Sequence, residues 1–400
     1  MRLFLLGWLA VSLFNLGATA RADDATWQQT LATARGQTVY FYAWAGDQKI
    51  NAYIRWAGDE VAQRFGIRLH HVKTADTGNL IATLLAEKAA GRNQGGRADL
   101  VWINGEHFHA MREAGLLHGP FAQALPNFRL VDIVGKPATI TDFALPTDGY
   151  ESPWGYAQLT FFHDAARLPS PPRSIAAILD WAKNNPGRFS YPAPPDFIGT
   201  TFLKQVLIAH VTDRQILKSA PDDATFNTTT APLWSYLDAL HPHLWRQGRT
   251  FPPNSPALRQ LLGDGEIDLA FAFNPAEAAS SINQGLLPAS VRAYILDGGT
   301  LANAHFLAIP FNANAPAAAK VVANFMLSPM AQAHKADPRI WGDPSVLALD
   351  RLTAEERAAF DALPRPITYP SVQELAHSHD EPHPDWTVRL ERAWISRYGR

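Results

Sequence analysis

The sequence predicts an α/β fold built in two units. Three observations carry that prediction: strands alternate with helices through the first hundred residues, a second alternation follows a Pro- and Gly-bearing stretch at 145–154, and the 400-residue chain is 47% apolar with 18% charged residues. At roughly 150 residues per domain this length allows two to three domains, each large enough for its own core.

The first unit opens with Thr38-Val39-Tyr40-Phe41-Tyr42, a β-branched and aromatic strand. Ile50, Tyr53, Ile54, Ala57, Val61 and Phe65 then recur at helical spacing, and Gly66 stops that helix. Ile67, Leu69 and His71 alternate as the next strand, and Leu80, Ile81, Leu84, Leu85 and Ala89 form a helical stripe that ends at Gly91. The middle of Asp99-Leu100-Val101-Trp102-Ile103-Asn104 is continuously apolar, as expected of a strand covered on both faces. Such repetition implies a parallel sheet with ligands at the carboxyl ends of its strands.

In the second unit, Ala157 to His163 reads as a strand, Ile175, Ile178, Leu179 and Ala182 as a helix face, and Arg188 to Tyr191 as a short strand after a turn at Asn184-Asn185-Pro186-Gly187. Helices are expected near 200–210 and 231–240, and strands at 267–273 and 291–296. After the Asp297-Gly298-Gly299 turn, His305 to Ile309 forms a strand and Pro316 opens a helix faced by Val321, Val322, Phe325 and Met326, so the chain returns to an α/β body. A final helix carries Trp386, Leu390, Ala393 and Trp394, an apolar stripe that needs a body to dock on.

Thirty-five Lys plus Arg against 37 Asp plus Glu leave no basic excess to neutralise phosphates, which argues against nucleic acid as a partner. The absence of Cys removes disulfides, thiolate nucleophiles and Cys-ligated metals. Met1-Arg2, the apolar run Leu3 to Phe14 and the small-x-small sites Ala18-Thr19-Ala20 and Ala20-Arg21-Ala22 read as a signal peptide over residues 1–22, predicting an exported, periplasmic mature chain. There is no G-x-S-x-G elbow, no H-E-x-x-H and no calcium loop. Gly91 to Ala98 has the spacing of a phosphate loop, but Arg97 and Ala98 replace the required Lys and hydroxyl, and the segment precedes a strand where a phosphate loop follows one.

The loops after the expected strands carry the candidate binding residues. They are Trp44, Asp47 and Asp76, then Asn104 and Glu106, then Glu151, Trp154 and Tyr156 at the crossing into the second unit, then Tyr191, Phe197, Thr200 and Asn274. Gly46 and Gly105 would let backbone approach a ligand. Aromatic faces with acidic neighbours suit a cation, and Lys49 is the main basic residue among these loops. Asp47, Asp76 and Glu106 also stand at helix starts, where a carboxylate caps N–H groups without any ligand.

Val39-Tyr40-Phe41-Tyr42-Ala43-Trp44, Ala98-Asp99-Leu100-Val101-Trp102-Ile103-Asn104-Gly105, Glu151-Ser152-Pro153-Trp154-Gly155-Tyr156 and Phe306-Leu307-Ala308-Ile309-Pro310 occur in an order that resembles bacterial ABC-transporter solute-binding proteins of the family 1 extracellular type, the thiamine, polyamine and iron(III) group. The resemblance implies the type II two-lobed periplasmic binding protein fold, each lobe a mixed, mostly parallel sheet flanked by helices. One lobe would comprise 23–148 plus 304–400 and the other 149–303, with hinge crossings near 145–157 and 299–306. It implies capture without catalysis, cofactor or metal, by a monomer that delivers a small solute to an ABC permease in the inner membrane. The adjacent tyrosine pair of the iron binders is absent, and charge and aromaticity favour an organic cation such as thiamine or a polyamine. Two alternatives stay open: a glycan-acting enzyme using two of Asp47, Glu106, Glu151 and Glu277, and a metal-binding protein using His377, His379 and His383.

Overall fold

The computed structural model describes residues 25–75 and 77–399. The expected signal peptide at 1–22 and Asp76 lie outside the described residues. No helix among the described residues is long and apolar enough to cross a membrane.

The larger sheet has strand order Ser378–His379, Thr300–Pro310, Leu100–Ile103, Thr38–Trp44, Arg68–Thr74, with Leu117–His118 and Glu151–Gln158 also pairing with Thr300–Pro310. Thr38–Trp44 pairs in parallel with both its neighbours. The helix Gln48–Phe65 ends at Gly66, whose φ of 67° is the left-handed conformation that glycine adopts without strain. Alternate residues of each strand supply opposite faces: Leu307 and Ile309 join one apolar cluster with Leu100, Phe41 and Tyr53, while Phe306 and Ala308 join another with Val101, Ile103 and Phe108. The inner strands Leu100–Ile103 and Thr300–Pro310 are therefore covered on both sides, which explains their unbroken apolar runs.

A second core gathers Phe161, Phe189, Phe202, Phe271 and Leu237 around a three-stranded sheet of order Val291–Tyr294, Thr160–Asp164, Leu269–Ala272. The two-lobed α/β fold is as expected, but this smaller sheet pairs antiparallel throughout, where a mostly parallel one is expected. Its direction follows from the chain's entry. Thr160, opposite Ala272, lies where the chain arrives from the first lobe, so the entering strand runs away from the cleft and Leu269–Ala272 runs back to deliver Phe273 and Asn274 there. The expected strand at Arg188 to Tyr191 is reduced to one bridge, Phe189 with Leu269.

Two neighbouring strands join the lobes. Glu151–Gln158 and Thr300–Pro310 pair antiparallel, with a register shift between His305 and Phe306. Trp154 and Leu307 sit in the first core, Leu159 and Leu301 in the second. A bulge within such a ribbon adds a bend to it. The chain then crosses once more: the helix Pro384–Tyr398 buries Trp386, Leu390 and Trp394 in the second core. Trp386 Nε1 donates to Ser219 O at 3.0 Å and Trp394 Nε1 to Tyr191 Oη at 2.8 Å. The expected division, with all of 304–400 in the first lobe, is corrected here, because the apolar stripe of this helix finds its cover on the second.

Candidate functional site

Between the cores lies a cleft of about 540 Å³, within the usual range for small-ligand sites, roughly 300–1,000 Å³. The carboxyl ends of the first sheet supply its first wall. Trp44 ends one strand, and Asp47 caps the following helix by accepting from Lys49 N at 2.7 Å. Trp102 Nε1 donates to Asn104 Oδ1 at 3.1 Å, and Asn104 Nδ2 donates to Ala304 O at 2.9 Å, so this indole is tied to the joining strand. Glu106 stands in the first turn of Gly105–Glu113. Gly105 has a φ of 52°, and a Cβ there would meet the Phe143 ring at 2.5 Å. Its missing side chain thus admits a protein ring in place of the expected ligand, and the open face of Gly46 abuts the Trp44 indole in the same way.

The second wall comes from the start of Phe197–His210 and the end of the returning strand. Asp196 caps that helix, accepting from Ile198 N at 2.9 Å and Gly199 N at 3.2 Å. Burial pushes its carboxyl up to about 6 against the lowering effect of those N–H groups. Phe197 and Phe273 meet edge to face at 5.3 Å between centroids. Asn274 Oδ1 accepts from Ala276 N, and its Nδ2 donates to Trp341 O at 3.4 Å, a contact across the cleft.

Three charged clusters border the cleft. In the first, Glu277 accepts from Lys49 Nζ at 3.1 Å, Arg259 Nη1 at 2.7 Å and Ser281 Oγ at 3.0 Å. Asp47 Oδ2 lies 3.8 Å from Lys49 and 3.6 Å from Arg259, so the network joins the two lobes. Burial alone would raise the Glu277 carboxyl, but Lys49 and Arg259 hold it down at about 2. In the second, Lys204 Nζ meets Glu381 Oε2 at 2.5 Å and lies 4.1 Å from the Phe143 ring centroid. Asn303 Nδ2 donates to the other Glu381 oxygen at 2.9 Å. In the third, Asp343 takes Lys335 Nζ and His305 Nε2, the latter at 3.0 Å, and the His305 ring stacks on Trp341. Of the described groups facing the cavity, six are carboxylates (Asp47, Glu106, Asp196, Glu277, Asp343, Glu391) and three are cations (Lys49, Lys204, Arg259), all three cations ion-paired.

Trp44, Asp47, Asn104, Glu106, Phe197, Thr200 and Asn274 line the cleft together. Glu151, Trp154, Tyr156 and Tyr191 do not. Trp154 is fully buried in the first core, its ring edge-on to that of Trp102 at 5.0 Å between centroids. Tyr156 packs partly buried against the first lobe. Tyr191 is buried in the second core, its hydroxyl shared with His241 and Trp394. Glu151 is fully buried, and neither of its side-chain oxygens has a hydrogen-bond partner among the described residues. Burial, with Asp142 nearby, pushes its carboxyl well above the usual range. A raised folded-state value costs stability as pH rises above about 4.5. Glu151→Gln is therefore expected to melt at or above the parent temperature at pH 8, and a lower melting temperature at both pH 5 and pH 8 would contradict this account.

The sequence reading missed Trp102, Lys204, Arg259, His305, Trp341, Asp343, Thr387 and Glu391 as site residues. Lys204 alone carried a signal, as a charge within the buried apolar run Phe202 to Leu207. The alternatives find no support in the geometry. Asp47 and Glu277 are tied up in ion pairs, and Glu151 lies outside the cleft. His379 Nδ1 bonds Arg214 and His383 Nδ1 caps the last helix, and among the described residues no group of three His, Asp or Glu side chains converges to hold a metal.

Two α/β lobes joined by paired strands around one cleft, with aromatic faces and opposed polar groups, define a solute-binding protein. Residues 56–349 match the family of bacterial extracellular solute-binding proteins, and the chain belongs to it. The chain is 48% identical over 396 residues to Protein YnjB of Escherichia coli strain K12, covering 98% of each. Its fold is similar to that of the TpPotD lipoprotein of Treponema pallidum, with a TM-score of 0.65 at 17% identity over 90% of this chain and 99% of that one. It is also similar to the periplasmic binding protein AfuA of Actinobacillus pleuropneumoniae, solved with fructose-6-phosphate, with a TM-score of 0.62 at 16% identity over 90% and 98%.

Proposed function

We propose that the protein is exported to the periplasm and works there as a monomer. It captures a small organic cation, a polyamine or thiamine, between its lobes and delivers it to an ABC permease in the inner membrane. The observation that carries this reading is the cleft itself: its carboxylates outnumber its cations, each cation already has a carboxylate partner, and Trp44, Trp102, Phe197 and Phe273 present aromatic faces. A cation gains from ring quadrupoles and an excess of carboxylates together. An anion would have to displace Glu277 from Lys49 and Arg259. Trp44, Asp47, Asn104, Glu106, Phe197, Thr200 and Asn274 are the contact residues in this reading. The lobes rotate about the paired strands Glu151–Gln158 and Thr300–Pro310, and the solute shifts the population toward the closed arrangement.

The test is a thermal-shift and calorimetry panel of putrescine, spermidine, thiamine, sugars and fructose-6-phosphate, on protein stripped of carried-over solute. A solute at 100 times its Kd stabilises by about 2.7 kcal/mol. Response to organic cations is the expected result, and response to sugars or sugar phosphates alone overturns the reading. Trp44→Ala should weaken cation binding by roughly 1–2 kcal/mol while the melting temperature of the free protein stays close to the parent's.

Affinity should also depend on pH. Asp196 ionises as pH rises through about 6, adding negative charge to the cleft. Cation affinity is expected to rise between pH 5 and pH 7, and Asp196→Asn should flatten that profile in calorimetry. An unchanged profile would remove Asp196 from the site.

A further inference from the structure

The family match ends at residue 349, yet the chain beyond it reaches into the cleft. Glu381, buried, holds Lys204 of the second lobe and Asn303 of the joining strand. Thr387 and Glu391 stand one helical turn apart on Pro384–Tyr398, and both line the cavity. Glu391 Oε1 accepts from Thr200 Oγ1 at 2.8 Å, which orients it. The Thr387 hydroxyl is buried, with Thr387 only 3% exposed, and it has no hydrogen-bond partner among the described residues. A buried hydroxyl without a partner carries a desolvation cost that nothing in the fold offsets. The helix is fixed on both sides of the cleft. Trp386, Leu390 and Trp394 sit in the second core, while Asp385 lies 3.9 Å from His109 of the first lobe.

We propose that this C-terminal segment forms a third wall of the solute site, in which the Thr387 hydroxyl and the Glu391 carboxylate contact the solute directly and Glu391 takes its cationic end. This rests on the organic-cation reading of the same cleft and adds to it the residues that read the charge. Glu381 is a positioning residue. By neutralising Lys204 it keeps that ammonium from repelling the solute, so the negative charge of Glu106 and Glu391 is what the solute meets.

Thr387→Val separates binding from folding, since it keeps the shape and removes a hydroxyl that has no partner among the described residues. The full-length variant should melt at or above the parent temperature and still bind the probe less tightly. Glu391→Gln should weaken putrescine or spermidine binding by about 10- to 100-fold, as expected for a lost hydrogen bond to a charged group. Its remaining affinity should also fall less with added salt than the parent's, because one charged contact is gone. If both variants bind the probe as the parent does while Trp44→Ala does not, the cation site stands and the third wall is wrong. If the parent binds none of the cationic probes, the organic-cation reading fails and takes this inference with it. A Glu391→Gln variant that melts far below the parent, with unchanged salt dependence, assigns Glu391 a structural role and also overturns the proposal.

Discussion

Glu381→Gln should destabilise the protein by about 3–5 kcal/mol, the range for removing one partner of a buried ion pair. The side chains of Lys204 and Glu381 are 1% and 2% exposed, so little water reaches a lone ammonium there. Glutamine keeps a bond to Asn303 but leaves Lys204 charged and uncompensated beside the Phe143 and Phe197 rings. Those rings offset only part of the loss, since a cation over an aromatic face gains about 2 kcal/mol when desolvated. The double variant Lys204→Met, Glu381→Leu should recover most of the stability, because apolar side chains of similar volume often replace a buried pair at no net cost. Denaturant unfolding of the parent, the single variant and the double variant measures both effects. A single-variant loss below about 1 kcal/mol would mean that solvent reaches the pair, and the cleft floor would then be wetter than the structure shows.

That pair also marks where sequence reading runs out. The first wall was legible because local pattern decides it. A strand ending in Trp44, a cap at Asp47 and a helix starting after Asn104 place those residues at the carboxyl ends of parallel strands whatever the rest of the chain does. Phe197, Thr200 and Asn274 were legible for the same reason, as residues at a helix start or a turn. Trp154 and Tyr191 misled because they stand close to turn residues in sequence, yet Trp154 lies on a strand buried at every position but Tyr156, and Tyr191 is satisfied by His241 and Trp394, 50 and 203 positions away. Glu381 with Lys204, Arg259 with Asp47 and Glu391 with Thr200 likewise meet only through the tertiary fold, and no period of 2 or 3.6 reports such pairs. The last helix shows the same division. Its apolar stripe was readable, but the lobe it covers depends on Ser219 and Tyr191 lying ready to accept its indole N–H groups.

Glu277→Gln should open the cleft. In the parent, Glu277 of the second lobe lies between Lys49 of the first and Arg259 of its own lobe, with Asp47 completing the network. The amide removes the charge that both cations share and leaves them facing each other across the lobes. Breaking such a buried network costs about 3–5 kcal/mol, and the cost falls on the arrangement in which the lobes meet, since separated lobes can hydrate their own charges. The apparent affinity for a solute bound by the closed arrangement falls with the fraction of protein that is closed, so weakening of at least about tenfold is expected. Small-angle scattering should show a larger radius of gyration for the unliganded variant. In the parent, pH acts on the same network. The folded-state value of Glu277 lies below the ordinary 4.5, so its contribution is complete above that pH and is lost as pH falls toward about 2. The parent should therefore expand on acidification in that window, and the variant, already open, should change less there. A variant that matches the parent in radius and affinity would show that the ion pairs follow closure and do not hold it.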